Sequence, residues 1–103
     1  IQRTRELAVM VTEEEDMEVA TYPEANILCF RLLPTGEVDA DELNASVRRR
    51  IVDSGEFYIV QTRLKSVVWL RVAIMNPATR GEDLKQLLQI LKRLASQVLD
   101  EMV

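Results

Sequence analysis

The chain has no histidine, a single cysteine and only three glycines in 103 residues. Without histidine there is no histidine-activated nucleophile and no histidine metal site. With Cys29 alone there is no internal disulfide, which fits a reducing, cytoplasmic compartment. So few glycines leave no glycine-rich phosphate loop. No apolar run approaches the roughly 18 residues of a membrane span, and no signal-peptide pattern opens the chain, so no membrane partner is expected. Positive charge is also missing in excess. The net charge is −4 and the basic residues are scattered, apart from Arg48-Arg49-Arg50, so no nucleic-acid footprint is expected and that run reads as a solvated helix face. Glu13-Glu14-Glu15-Asp16 lacks the spacing of a calcium loop and reads as a solvated turn, so no metal is expected.

The size is that of one small domain, and 48% hydrophobic with 29% charged residues is ordinary for a globular protein. The most informative stretch runs from Ser66 to Glu82. Val67 to Met75 is rich in β-branched and aromatic residues and predicts a strand. Val68, Leu70, Val72 and Ile74 fall on one face; Trp69, Arg71, Ala73 and Met75 fall on the other. The first face is expected against the domain's own helices. The second, with one arginine among apolar neighbours, is expected to look toward something else. Asn76-Pro77 stops the strand, and Thr79 with Glu82 has capping-box spacing for a helix starting near Arg80 and running to about Met102. Its apolar stripe is Leu84, Leu87, Leu88, Leu91, Leu94, Ala95, Val98 and Met102.

Upstream, residues 1 to about 13 predict a helix with Ile1, Leu7, Ala8 and Val11 as its stripe. Arg3 and Arg5 near its start and Glu13 to Glu15 at its end oppose the helix dipole, so fraying is expected. Met17 to Thr21 predicts a short strand, Tyr22-Pro23-Glu24-Ala25 a turn, and Asn26 to Leu33 a second strand with Leu28, Phe30 and Leu32 on one face, broken by Pro34-Thr35-Gly36. Asp39 to Ser54 predicts a helix with Asp39 and Glu42 as its capping box, Ala40, Leu43, Val47 and Ile51 as its stripe and Gly55 as its C-terminal cap. Phe57 to Thr62 predicts a third strand, and Arg63-Leu64-Lys65 the turn into the next. The sum is an α/β chain of the α+β type. Two β-hairpins alternate with helices, in an antiparallel or mixed sheet with helices on one face.

Leu70-Arg71-Val72, Met75-Asn76-Pro77 and Glu82-Asp83-Leu84, together with the upstream segment Pro23 to Arg31, resemble the C-terminal small domain of the group II pyridoxal-phosphate-dependent amino-acid decarboxylases. The resemblance covers nearly the whole chain in order, and Asn76-Pro77 favours the glutamate and diaminobutyrate branch. It implies that residues 1–15 are a helix connecting from a large domain and that residues 16–103 are the small domain of a fold-type I enzyme. The chain begins at Ile1 within a helical pattern, which reads as a piece of a longer protein. The resemblance also implies a carboxy-lyase acting on an acidic or diamino amino acid, built as a homodimer. Its cofactor, pyridoxal 5'-phosphate, would be held by a lysine of the large domain that follows a histidine. Lys65, Lys85 and Lys92 follow no histidine and read as solvent-facing, so no catalytic or cofactor-binding residue is expected in this chain.

Arg71 is the one candidate site residue. By the resemblance it binds the substrate carboxylate, for which a planar guanidinium fork is suited; the competing reading is that it pairs with an acid inside the protein and fixes a domain interface. Trp69 and Met75 read as interface packing beside it, and Arg31 as a strand arginine that snorkels or makes a salt bridge. A rival for the whole chain is a stand-alone α/β module that senses a ligand or binds a protein without catalysis.

Overall fold

A computed structural model describes residues 2–20, 26–34, 36–51, 57–74 and 78–102. The elements in order are α1 (Gln2–Thr12), β1 (Met17–Val19), β2 (Ile27–Leu32), α2 (Ala40–Arg50), β3 (Phe57–Leu64), β4 (Val67–Ile74) and α3 (Gly81–Met102). The strands form one antiparallel sheet in the order β1-β2-β4-β3, so β4 is interior with β2 on one side and β3 on the other. This is the expected α+β arrangement, and the sheet is antiparallel throughout.

Alternation in the strands decides which face is covered. Leu28, Phe30 and Leu32 on β2, Ile59 on β3 and Val68, Leu70 and Val72 on β4 are buried on one face. The helices meet them there: α3 with Leu84, Leu87, Leu88, Leu91, Ala95 and Val98, α2 with Leu43 and Val47, and α1 with Leu7, Ala8 and Val11. The long stripe of α3 gives it the largest share of this core. Helix α1 lies against β1, β2, β4 and α3 despite its adverse end charges. Tertiary packing and the two-pronged contact of Arg3 Nη1 with Glu6 (2.8 Å to each oxygen) offset the dipole term.

Local details differ from the sequence expectations in four places. Helix α2 ends at Arg50, not Ser54: Ile51 turns extended (φ −76°, ψ 132°), which lets its side chain pack on the core while its N–H donates to Val47 O. Asp39 is the N-cap, but its carboxylate accepts from Asp41 N–H, and Glu42 lies 3.9 Å from Arg49 rather than closing a capping box. At α3 the helix-end contact comes from Asp83, whose carboxylate accepts from Arg80 N–H at 2.9 Å; Thr79, expected to cap, is buried with its hydroxyl unpaired. Strand β3 continues to Leu64, which pairs with Val67, so the hairpin turn is Lys65-Ser66 with both residues left-handed (φ 51° and 68°). Two left-handed residues match the twist of a tight hairpin, even though neither is glycine. The expected turn at Tyr22 to Ala25, the Gly55 cap, the Asn76-Pro77 stop, and the places of Ile1, Thr35 and Met75 lie outside the described residues.

Helix α2 also does something not read from the sequence. The pairing of β2 with β4 runs from Ile27↔Ala73 to Phe30↔Leu70. Beyond it, Asn44, fully buried, accepts from Leu32 N–H (2.8 Å) and donates through Nδ2 to Leu32 O (2.9 Å) and Ala40 O (2.8 Å). Asp41 Oδ1 accepts from Val68 N–H at 3.0 Å. Two polar side chains of one helix thus replace the strand partner that Leu32 and Val68 would otherwise need.

Asn44→Leu keeps the branching and the number of side-chain heavy atoms but adds bulk and strands the Leu32 N–H and C=O, and should cost about 2–4 kcal/mol in urea unfolding. The exposed Glu42→Gln should stay within about 0.5 kcal/mol of the parent. Ser66→Gly should instead raise stability by about 0.5–1 kcal/mol, because glycine takes the left-handed geometry without penalty.

Candidate functional site

The face of the sheet away from the helices carries every side chain of chemical interest. Arg71 stands at its middle. It pairs in register with Cys29 on β2 and Val60 on β3, and its strand neighbours on this face are Trp69 and Ala73. Ile27, Tyr58 and Leu64, which are 36%, 50% and 42% exposed, complete an apolar surround. The placement of Arg71 away from the helices is as the alternation of β4 requires.

Two guanidiniums share this face and differ in what they touch. Arg31 donates through Nε to Glu18, whose neighbours Met17 and Val19 turn inward and so turn Glu18 outward. Arg31 also lies over the Trp69 ring, 5.1 Å from its centroid. It is therefore the expected strand arginine with a salt bridge. Glu18 was not singled out from the sequence, although the alternation of Met17-Glu18-Val19 points it to this face. Arg71 is exposed and, among the described residues, makes no hydrogen bond and no ion pair. Cys29 beside it is half-buried, and burial pushes its thiol up while the Arg71 charge pulls it part of the way back.

The other candidates do not gather at this site. Lys65 sits exposed in the hairpin turn and Lys85 exposed on α3. Lys92 is half-buried and bonded to Glu14 at 2.7 Å, and that hydrogen bond holds its ammonium above its usual range. A lysine that forms a Schiff base needs the opposite shift. The three lysines are thus either exposed or engaged, and none lies on the face that carries Arg71. Arg50 grips Glu101 with two contacts of 2.6 Å and Arg49 donates to Ser46, so the arginine run is largely spent on neighbours. Among the described residues no cluster of acidic or thiol side chains can hold a metal ion, and no helix is long and apolar enough to cross a membrane.

No family model matches the chain. It is 28% identical over 101 residues to an aromatic-L-amino-acid decarboxylase of Bacillus atrophaeus, across 95% of this chain and 21% of that protein. It is 26% identical over 101 residues to the phenylacetaldehyde synthase of Arabidopsis thaliana, across 96% and 21%. Among solved structures it matches the glutamate decarboxylase domain of a diaminobutyrate-pyruvate transaminase and L-2,4-diaminobutyrate decarboxylase from Vibrio parahaemolyticus. The TM-score is 0.83 at 26% identity, over 93% of this chain and 20% of that one. A TDC of Oryza sativa solved with PLP and tryptamine matches with a TM-score of 0.77 at 19% identity, over 94% and 22%, a likeness of fold. The chain thus spans about a fifth of the length of the relatives it matches, and its α+β fold is that of a part of these decarboxylase structures.

The neighbourhood of Cys29 gives a signed expectation. Removing the positive charge in Arg71→Gln should raise the thiol further, so alkylation of Cys29 by neutral iodoacetamide at pH 8 should slow. An unchanged rate would mean that the guanidinium points away from the sulfur.

Proposed function

We propose that this chain is the small C-terminal domain of a pyridoxal-phosphate-dependent amino-acid decarboxylase, and that Arg71 receives a carboxylate of the amino-acid substrate. In this reading the cofactor, the lysine that holds it and the rest of the pocket belong to a large domain of the same protein, working as a homodimer. The open sheet face closes one side of the pocket. The similarity to decarboxylases along the chain supports the class. The observation that carries the role of Arg71 is its lack of a partner among the described residues, on a face where the other arginine has one.

The charge argument also bears on the substrate. The acid of Glu18 offsets Arg31, so among the described residues the open face offers one uncompensated cation, which suits a carboxylate and repels an ammonium. Of the acidic and diamino amino acids in view, the acidic one fits better. A second reading, an aromatic amino acid, is favoured by the similarity to the aromatic-L-amino-acid decarboxylase of Bacillus atrophaeus.

In the full-length enzyme, Arg71→Ala should lower kcat/KM roughly ten- to a hundredfold, the size of a charge-assisted hydrogen bond lost in the complex. Arg71→Lys should recover part of it, because an ammonium cannot make the forked contact. Melting temperature and bound cofactor should not change. A fall in both, with KM unchanged in the folded remainder, would make Arg71 structural. Steady-state rates for glutamate, diaminobutyrate and an aromatic amino acid on the same preparations decide between the substrate readings.

A further inference from the structure

Glu18, Arg31 and Trp69 come from three different strands and meet on the open face next to Arg71. Arg31 is held from both sides: Glu18 of β1 binds its Nε, and the indole of Trp69 on β4 lies under its guanidinium, with the centroid 5.1 Å away. Arg31 and Trp69 are both half-buried in the chain as it stands. Trp69 and Arg71 are two residues apart on one strand face, roughly 7 Å along the strand. An indole left to itself there would rotate about two torsions. A guanidinium anchored at its other end by a carboxylate removes much of that freedom.

We propose that the Glu18–Arg31 pair is a positioning device that fixes Trp69 as a wall beside Arg71, making Trp69 a specificity-determining residue for the proposed reaction. It rests on the reading of Arg71 as the carboxylate receptor. The ligand class is an amino acid whose side chain carries a carboxylate on a short aliphatic stem. The carboxylate meets the one uncompensated guanidinium, and the methylenes lie against the indole. The division of labour follows from charge: the arginine tied to an acid orients an aromatic ring, and the arginine without one binds an anion. Neither Glu18 nor Arg31 touches the substrate in this arrangement; both act through Trp69.

The test is a set of variants in the full-length holoenzyme, with KM and kcat for the acidic substrate and melting temperature measured together. Trp69→Leu and Arg31→Met should each raise KM roughly three- to fivefold, the scale of an exposed cation–π contact, with kcat nearly unchanged. Arg31→Lys, which keeps a cation over the ring, should restore most of the KM. The double variant should be no worse than Trp69→Leu alone, because Arg31 acts only through the ring. If Arg31→Met does not fold, Glu18→Gln and Trp69→Phe carry the same comparison, with smaller shifts in KM. Additive KM effects, or an unchanged KM in folded Trp69→Leu while Arg71→Ala still raises it, would overturn this proposal and leave the role of Arg71 standing. A normal KM in folded Arg71→Ala would overturn both.

Discussion

All three helices lie on one side of a single antiparallel sheet, and the rest of the molecule depends on that constraint. Strand period forces every second side chain outward, so covering one face with α1, α2 and α3 leaves the other face with Cys29, Arg31, Trp69 and Arg71. A one-residue slip of β4 against β2 would bury Arg71 under the helices and expose Leu70 and Val72. The register is pinned at several points. The apolar side chains of β2 and β4 meet the stripe of α3, Lys65-Ser66 closes the β3–β4 hairpin, and Asn44 and Asp41 occupy the backbone groups where the β2–β4 pairing gives out.

Much of this was legible because it follows from period. The alternation of Val67 to Ile74 gave the two faces of β4, and the 3.6-residue recurrence of leucines gave α3 and its buried side. What was not legible depends on contacts between distant residues. Asn44 stands three residues before Val47 on the buried stripe of α2, and a polar residue on an apolar stripe is the only local hint that it serves a strand twelve residues away. The partner of Arg31 could be chosen only once β1 and β2 were paired as Glu18↔Arg31. The helix ends shifted because Thr79, Asp83 and Ile51 each answer to packing as well as to capping preference. Among the described residues no acid pairs with Arg71, and that is a property of the assembled sheet with no signature in the sequence.

In the proposed reading the open face is half of a site. Among the described residues it offers one guanidinium without a partner, the Trp69 ring and an apolar surround, while Lys92, the best buried of the three lysines, is tied to Glu14. The relatives that the chain matches are longer. Each is about five times the length of this chain, and the chain matches only the portion that carries the sheet and its three helices. An exposed guanidinium is hydrated and costs little to keep, but its charge and planar fork suit a carboxylate, and in the proposed reading that carboxylate is the substrate's.

The most direct test of one free and one engaged guanidinium is to observe both by nitrogen NMR of the full-length enzyme, with arginine side chains labelled. On titration with an unreactive dicarboxylate analogue of the substrate, the account predicts that the Arg71 guanidinium resonances shift with saturation. Those of Arg31, already bound to Glu18, should stay in place. A shift at Arg31 with none at Arg71, or no response at either while the analogue still competes with substrate, would contradict it.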